Sequence, residues 1–342
     1  MPQRPRLTPP MADVRRAVRD SLAAAGVVAG DLVFVACSGG ADSLALAAAT
    51  AFEGARSGIR VGGLIVEHGL QAATKDVADA TATVLRGLGL DPVSVLPVTV
   101  GTDGGTEAAA RSARYAALEQ AGGSAGAKAV LLGHTLNDQA ETVLLGLTRG
   151  SGLRSIVGMS AVTETDTDGL LWLRPLLQIT RSETEAFCND SGLTFWVDPH
   201  NSDTSFTRVR LRSQVLPMLE AQVGPGVSEA LSRTASLVRE DLEYLESQAD
   251  LEFKSITKVA ATGITVSAEA LAALAPAISS RVVHRCLSVF GDTPSKTHVD
   301  QVLELVRNWH GQKELTLPGV RVLRHSDDLT FKSSKTLRPG AC

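Results

Sequence analysis

The stretch "VFVACSGGADSLALAAAT", from Val33 to Thr50, changes its pattern in the middle. It begins with apolar residues that favour a strand, passes two adjacent glycines, Gly39 and Gly40, and continues into an alanine-rich run that favours a helix. A strand, a glycine turn and a helix in this order predict one βα unit. The stretch therefore predicts a fold in which strands alternate with helices.

Apolar, β-favouring runs recur along the first half of the chain, and helix-favouring sequence follows them. The runs are "DLVFVA" from Asp31, "VGGLIV" from Val61, "VSVLPV" from Val93, "KAVLLG" from Lys128 and "LLWLRPLL" from Leu170. Units of about 30 residues whose strands are apolar on both sides are typical of a parallel sheet with helices on both faces. We therefore expect an α/β fold that binds its ligands outside the carboxyl ends of the strands.

The last part of the chain has a different pattern. The sequence "VSEALSRTASLVREDLEYLESQADL", residues 227–251, predicts one long amphipathic helix. Beyond it, helical patterns alternate with one strand-turn-strand signal, "KELTLPGVRVLRH" from Lys313. We predict an N-terminal extension and first helix over residues 1–25, an α/β domain over residues 26–218, and a long linker helix with a smaller, mainly helical domain over residues 219–342.

Composition excludes several classes of protein. The chain has 342 residues, of which 44% are hydrophobic, and no run approaches the roughly 18 apolar residues of a membrane span. Its four cysteines lie far apart without a CxxC pair, so we predict neither a disulfide framework nor a zinc site, and we expect a cytoplasmic location. The formal net charge of -4 argues against bulk electrostatic binding of nucleic acid, so an RNA partner must be recognised locally.

The turn "SGGADS", from Ser38 to Ser43, has the composition of a phosphate-binding loop. Its glycines allow close approach of the backbone, and its serines add hydroxyl donors where a strand passes into a helix. Neither GxxxxGK(S/T) nor GxGxxG occurs, so neither a Walker ATPase nor a dinucleotide dehydrogenase is indicated. A carboxylate beside phosphates needs an intervening cation, so a functional Asp42 implies Mg²⁺. The alternative is an ordinary turn in which Asp42 caps the following helix.

This turn also resembles the signature of the PP-loop ATP pyrophosphatases, which split ATP into AMP and pyrophosphate. Further stretches narrow the resemblance to the tRNA(Ile)-lysidine synthases. These stretches are "VEHGL" from Val66, "EAAARSARY" from Glu107, "GHTLNDQAET" from Gly133, "RGSGLRSIVGM" from Arg149, "RPLL" from Arg174 and "DPHNSDTSFTRVRLR" from Asp198. The resemblance spans about residues 31–216 and continues weakly beyond them.

The resemblance implies a ligase that uses ATP and Mg²⁺. Its substrates are L-lysine and an isoleucine tRNA with a CAU anticodon, and lysine is joined to C2 of the wobble cytidine, position 34. The reaction passes through an adenylated cytidine and releases AMP and pyrophosphate. We expect no membrane partner, and the sequence leaves open both homodimer formation and the tRNA features that are read outside the anticodon.

By the same resemblance, the turn binds ATP through Ser38, Gly39, Gly40, Ala41, Asp42 and Ser43. His68 is expected near the adenine or ribose by the resemblance, whereas taken alone it fits a buried structural histidine better. Arg111 and Arg114, at i and i+3 on a predicted helix, share a face and are candidates for stabilising the charge on the leaving pyrophosphate, with Arg114 slightly favoured. The alternative is two solvated arginines on a helix surface.

The amine of lysine must be selected and deprotonated, since at pH 7 only about one amine in 10³ is neutral. His134, Asp138 and Glu141 fall at helical spacing and are candidates for binding the ammonium group of lysine or Mg²⁺. Alternatively, Asp138 and Glu141 only favour a helix N-terminus. The family usually has a second histidine and a second aspartate here, where this chain has Thr135 and Asn137.

In "TSFTRVRLR", Arg208 and Arg212 can share one helix face, whereas Arg210 cannot join them. Arg208 and Arg212 are candidates for contacts with the tRNA backbone or the adenylate. Two further positions depart from the family pattern and receive no role: Gln71 stands where arginine is common, and Val209 where asparagine is common.

Two other functions compete with this hypothesis. One is another PP-loop enzyme, such as a tRNA thiolase or an amide-forming synthetase, and the other is a non-catalytic nucleotide-binding module. The dispersed cysteines oppose thiolation, and the chain has no glutaminase domain to supply ammonia. A nucleotide sensor would not need the arginines and the His-Asp-Glu set around the loop. We therefore favour the tRNA-modifying ligase.

Overall fold

The computed structural model describes residues 7–67, 72–99, 106–150, 152–198, 203–290 and 294–334; for residues 72–74 and 106–108 only the backbone is described. The chain divides into two compact units, residues 1–236 and 237–342. The expected boundary between residues 218 and 219 stays a prediction. None of the described helices is both long enough and apolar enough to cross a membrane.

The first unit alternates strands and helices as the sequence predicts. Its strands are β1 (Leu32–Ala36), β2 (Arg60–Glu67), β3 (Val93–Pro97), β4 (Ala129–Leu132), β5 (Val162–Glu164) and β6 (Leu171–Leu173). Its helices are α1 (Pro9–Ala24), α2 (Ala41–Ser57), α3 (Ala72–Gly87), α4 (Thr106–Ser124), α5 (Leu136–Arg149), α6 (Leu153–Ile156), α7 (Arg181–Asp190), α8 (Thr207–Arg210) and α9 (Leu216–Val223), with a π-helical turn at Leu211–Val215 between the last two.

The strands form one sheet in the order β3-β2-β1-β4-β6-β5, parallel throughout except for β5, which pairs with β6 in the antiparallel sense. Alternate residues of β1 enter different apolar cores, because side chains of a strand alternate between its faces. Val33 and Val35 join a core that contains residues of α1, α2, α3 and α7. Phe34 joins a second core with Leu118 of α4. This doubly covered sheet confirms the predicted α/β fold.

The strand order reverses at β1. This strand pairs with β2 on one side and β4 on the other, so the chain after β1 and the chain after β4 leave the sheet in different directions. A crevice opens at such a switch point, at the carboxyl ends of the strands. The sequence places the "SGGADS" turn and the "GHTLND" turn at this crevice, directly after β1 and β4.

Two glycines let these turns approach each other and α3. Gly39 has φ +84°, and a Cβ built there would lie 2.6 Å from Thr81 Oγ1. A Cβ on Gly133 would lie 3.2 Å from three atoms, one backbone atom of Asp42 and two of Ser43, so the turn after β4 rests directly on the first turn of α2. The positions of both turns therefore depend on the absence of a side chain.

The second unit has a sheet that the sequence predicts only in part. Its strands are β7 (Thr257–Ala260), β8 (Gly263–Ser267), β9 (Leu315–Leu317), β10 (Val320–His325) and β11 (Asp328–Ser333), antiparallel in the order β7-β8-β11-β10-β9. Its helices are the later part of α10 (Val227–Ile256), α11 (Ala268–Ala273), α12 (Pro276–Ser288) and α13 (Lys296–Arg307). Helices cover more of the described residues than strands, as predicted, and the predicted hairpin is β9–β10.

The Gly39→Ala variant tests the packing of the phosphate-loop turn. A positive φ costs a non-glycine residue about 1–2 kcal/mol, and the overlap with Thr81 adds about 1–3 kcal/mol of overpacking. Gly26→Ala is the matched control, since Gly26 has φ +66° with open space around its Cβ position. Urea unfolding is expected to show a larger loss for Gly39→Ala. In the Thr81→Ala background the two losses should become similar, and persistence of the difference would contradict the assignment of the overlap to Thr81.

Candidate active site

A cleft of about 630 Å³ opens at the carboxyl ends of the parallel strands in the first unit. Most of the residues that the sequence selects line this cleft: Ser38, Gly40, Ala41, Asp42, Ser43, Arg111, Arg114, His134, Asp138 and Arg212. Gly39, Glu141 and Arg208 are not in its wall, and His68 lies outside the described residues. The cleft therefore brings together side chains that are up to 174 residues apart in the sequence, from Ser38 to Arg212.

The "SGGADS" turn closes on itself through Ser43. The Ser43 hydroxyl accepts from the N–H of Ser38 at 3.1 Å and donates to the carbonyl of Gly40 at 3.0 Å. The carbonyl of Gly39 accepts from the N–H of Trp196 at 2.9 Å. Gly40 is the N-cap of α2 and has no side chain to accept from the first N–H groups of the helix. A helix N-terminus of this kind attracts anions, so the turn fits a phosphate group.

Asp42 forms its side-chain bonds with α7. Its Oδ2 accepts from Arg181 Nε at 3.2 Å, and its Oδ1 accepts from the Thr184 hydroxyl. These bonds argue against the alternative in which Asp42 only caps α2. Burial raises the pKa of Asp42, although Arg181 and Thr184 oppose the rise.

The donor set at Asp42 restricts how a metal ion can bind. A carboxylate has about four acceptor positions, of which the described contacts use two. Among the described residues, no three His, Cys, Asp or Glu side chains form a group that could hold a metal. Mg²⁺ commonly binds through one or two carboxylates together with substrate phosphates. Within the described part of the chain, the residues therefore fit a phosphate-bound Mg²⁺ rather than an all-protein metal centre.

Asp138 uses its two carboxylate oxygens differently. Oδ2 accepts from the N–H and hydroxyl of Thr135 at 2.8 and 3.0 Å, so it anchors the start of α5 as the alternative interpretation expects. Oδ1 instead accepts from Arg181 Nη2 at 3.1 Å and Arg212 Nη2 at 3.5 Å. Burial opposes ionisation, but Arg181 and the Thr135 N–H outweigh it and lower the pKa of Asp138. One aspartate therefore caps a helix and presents a charged oxygen among the arginines.

A stripe of His134, Asp138 and Glu141 on one helix requires the helix to begin at the end of β4, but α5 begins at Leu136, so His134 precedes the helix. The Gly133 turn intervenes between β4 and the helix, and only Asp138 and Glu141 share a helical face. His134 Nδ1 is buried without a hydrogen-bond partner among the described residues. Burial is the main cause that lowers the pKa of His134 to about 4, and nearby arginines add to it while Asp138 opposes it. The imidazole is therefore uncharged at neutral pH.

Glu141 is fully buried and depends on Arg212. Arg212 Nε donates to Glu141 Oε1 at 2.8 Å, and its Nη2 lies 3.4 Å from Oε2. Arg212 belongs to the π-helical turn. Arg210, in contrast, donates to the carbonyls of Thr204 and Ser205, both at 2.7 Å, and so holds its own loop.

When all five groups are counted as ionised, the three carboxylates and two arginines of this network leave one surplus negative charge. Asp42, Asp138 and Glu141 are joined by Arg181 and Arg212 through the contacts described above. A buried group of charges is stabilised when a further cation neutralises such a surplus. The network is therefore suited to bind a cationic ligand.

Arg111 and Arg114 reach the cleft from α4, on the other face of the sheet from α2 and α7. The Arg111 guanidinium lies over the Tyr115 ring at 4.9 Å and donates to its hydroxyl at 3.2 Å. Surrounding protein and the neighbouring Arg111 lower the pKa of Arg114, which stays charged at any physiological pH. Both side chains keep contact with solvent inside the cleft, so an anion can reach them.

Comparison with known proteins agrees with this geometry. Residues 13–219 match the family described as PP-loop domain, and residues 267–330 match the TilS substrate binding domain. The tRNA(Ile)-lysidine synthase of Leifsonia xyli subsp. xyli is 50% identical over 88% of this chain and 90% of its own length. The synthase of Thermobifida fusca is 47% identical over 93% of this chain and 96% of its own. The chain belongs to the tRNA(Ile)-lysidine synthase family.

This membership confirms the resemblance that the motifs carry. Among solved structures, the U34-tRNA thiolase NcsA from Methanococcus maripaludis superposes with a TM-score of 0.56 over 67% of this chain and 79% of the thiolase chain. Its sequence identity is only 17%, so this similarity shows a common fold and nothing about sulfur chemistry.

Sequence reasoning missed Arg181, the arginine that contacts both Asp42 and Asp138. Arg181 is the first residue of α7, where the helix dipole disfavours a positive charge. The sequence does contain one signal for this role: a cation at the first position of a helix requires negatively charged partners elsewhere in the fold. Those partners are 139 and 43 residues away in the sequence.

The Arg212→Gln variant tests the Glu141 ion pair. Removing one member of a buried pair leaves an uncompensated charge, and the expected cost is on the order of 3 kcal/mol in the free energy of unfolding. Adding Glu141→Gln removes that charge, so the double variant is expected to recover part of the loss. Urea denaturation measures both effects. If the double variant is as unstable as Arg212→Gln, packing rather than charge explains the loss.

The pKa of His134 predicts a dependence of stability on pH. Above pH 6.5 the imidazole is neutral in both states, whereas between pH 6.5 and about 4 the unfolded chain binds a proton that the folded chain does not. The free energy of unfolding should therefore fall across this window, by up to about 3 kcal/mol from this group. His134→Asn should lack this part of the fall.

NMR titration provides a direct check on the same residue. The histidine signal that disappears in His134→Asn is expected to keep the position of a neutral imidazole at pH 5. A midpoint near 6.5 for that signal would contradict the low pKa.

Proposed function

We propose that this protein joins L-lysine to C2 of the wobble cytidine, position 34, in a CAU-anticodon tRNA(Ile), using ATP and giving lysidine, AMP and pyrophosphate. The observation that carries the proposal is the charge arrangement in one cleft. A glycine turn and the arginines of α4 suit phosphate groups, and the carboxylate network suits a cation. A reaction that joins lysine to an ATP-activated cytosine needs a phosphate site and an ammonium site, both within reach of that cytosine.

The phosphate-binding part is the "SGGADS" turn with Arg111 and Arg114. Nucleotide sites commonly occupy pockets of about 300–1,000 Å³, and a cleft of about 630 Å³ falls in this range. ATP supplies the adenylyl group that turns the C2 oxygen of cytosine into a leaving group. The turn and the arginines are proposed to hold the phosphates and to stabilise the negative charge that develops as pyrophosphate leaves.

Asp42 is the proposed contact of Mg²⁺. Each of its oxygens keeps a free acceptor position beside the helix N-terminus where phosphates are expected. Mg²⁺ would lower the repulsion between the Asp42 carboxylate and the phosphates, and it would neutralise charge on them.

Asp138 and Glu141 are proposed to create the negative site that selects lysine. Asp138 lines the cleft, its Oδ1 pairs with Arg181, and the surplus charge of the network favours an ammonium group. His134 Nδ1 has no hydrogen-bond partner among the described residues, and the imidazole is uncharged at neutral pH, so this nitrogen is an acceptor in the tautomer that is protonated on Nε2. We propose that it accepts a hydrogen bond from the attacking amine and orients it. With a pKa of about 4, it is too weak a base to retain the proton of an amine.

The tRNA is proposed to bind both units. An anticodon base is single-stranded and can enter a pocket at modest energetic cost. Arg208 and Arg212 are proposed near the tRNA backbone or the adenylate, and residues 219–342 are proposed to position the tRNA. The reaction is placed in the cytoplasm, where tRNA and free lysine meet.

Sulfur transfer receives no support from the described cysteines. Cys37, Cys188 and Cys286 are free and buried. Burial raises the pKa of Cys37, and it raises the pKa values of Cys188 and Cys286 to about 12. Thiols of this kind are poor nucleophiles at neutral pH.

Incorporation of labelled lysine tests the proposed function. Purified protein with Mg-ATP is expected to attach lysine to a CAU-anticodon tRNA(Ile) transcript and to release equal amounts of AMP and pyrophosphate. An elongator methionine tRNA with the same anticodon should react poorly. Asp42→Asn should abolish pyrophosphate release, whereas the matched control Asp79→Asn, an exposed aspartate on α3, should keep activity. Incorporation of another amine or of sulfur in place of lysine would refute the proposal.

A further inference from the structure

Arg181 joins two carboxylates that belong to different parts of the cleft. Its Nε donates to Asp42 Oδ2 at 3.2 Å, and its Nη2 donates to Asp138 Oδ1 at 3.1 Å. The Asp138 side chain is only 13% exposed, so its partner controls access to it. Arg212 also approaches Asp138, at 3.5 Å, but its closer contact is with Glu141. A single guanidinium therefore pairs both with Asp42, beside the proposed phosphate site, and with Asp138, in the proposed lysine site.

The backbone of Arg181 is held in place, and its side chain bridges Asp42 and Asp138. The Arg181 N–H donates to Asn137 Oδ1 at 2.9 Å, and the Leu136 N–H donates to the carbonyl of Ile179 at 2.9 Å. These bonds fasten the start of α7 to the start of α5. The guanidinium lies at the end of a long side chain and lines the cleft.

We propose that Arg181 is a positioning residue that occupies the ammonium site of Asp138 until nucleotide phosphates enter the cleft and draw its guanidinium away. This inference rests on the proposed function, since it takes Asp138 as the lysine-binding carboxylate and the "SGGADS" turn as the phosphate site. Lysine then binds weakly to the empty enzyme and more tightly to the nucleotide-loaded enzyme.

The physical basis is competition between two cations for one carboxylate oxygen. Asp138 Oδ1 cannot bind an ammonium group fully while Arg181 Nη2 lies 3.1 Å away. A phosphate offers a guanidinium paired, charge-assisted hydrogen bonds that match its fork of donors, so it competes well with two separate carboxylates. Because coupling between two ligands is reciprocal, lysine should tighten nucleotide binding by the same factor.

Calorimetric titration with L-lysine tests the proposal without tRNA and without turnover. The dissociation constant is measured with and without a saturating, non-hydrolysable ATP analogue and Mg²⁺. In the unaltered protein, the analogue is expected to tighten lysine binding about fivefold or more. In Arg181→Gln, lysine should bind the empty protein more tightly than it binds the unaltered empty protein, and the analogue should change its affinity less than about twofold.

Arg86→Gln is the matched comparison, because Arg86 is an exposed arginine on α3. It should keep the dependence of lysine affinity on nucleotide. Equal nucleotide dependence in Arg181→Gln and in the unaltered protein would overturn the inference.

Chemical rescue distinguishes competition for Asp138 from a merely structural effect of the substitution. It also tests the inference with a second variant in case Arg181→Gln folds poorly. In Arg181→Ala, added ethylguanidinium is expected to weaken lysine binding to the empty protein and to restore the response to nucleotide. A rescue that leaves lysine affinity unchanged would overturn the inference. If the unaltered protein binds lysine with the same affinity in both states, the inference fails but the proposed function stands. If it binds no lysine in either state, both fail.

Discussion

The site depends on charge balance among carboxylates that have little access to water. Glu141 is fully buried, and the side chains of Asp138 and Asp42 are mostly buried. Ionised carboxylates are costly in such positions unless they are paired and hydrogen-bonded. Arg181 and Arg212 supply this pairing, and their contacts join α2, α5, α7 and the π-helical turn. The fold around the cleft is therefore held by the same charges that make it a binding site.

The sheet brings these charges together. Because β1 lies between β2 and β4, the turns after β1 and β4 border one crevice, and the small size of Gly133 lets them touch. Helices from opposite faces then contribute different charges: α4 brings Arg111 and Arg114, whereas α2 and α7 bring Asp42 and Arg181. A chain with a net charge of -4 can thus present a local positive surface to a polyanion.

The sequence predicts the strands and helices of the first unit because their apolar patterns are strong and local. It also predicts which motifs meet, since strand ends in a parallel sheet share one edge. It does not predict the role of Arg181, because the partners of this residue are distant in sequence. Nor does it predict that α5 begins after His134, because this depends on the backbone turn at Gly133. In the second unit, β7 is short and mostly exposed, and β8 is short and only partly buried, so the sequence pattern of both strands is weak. Tertiary pairing of β8 with β11, and of β7 with β8, decides their structure.

Thr135 and Asn137 both contact members of this charged network. Thr135 gives Asp138 two hydrogen bonds, and Asn137 accepts one from the backbone of Arg181. An aspartate at position 137 could accept that bond as well, but it would add a negative charge to a network that already has one in surplus. Its carboxylate would also compete with Asp42 and Asp138 for the Arg181 guanidinium. A neutral amide keeps the backbone bond and leaves the guanidinium to the two carboxylates, so Asn137 preserves the bridge on which the cleft depends.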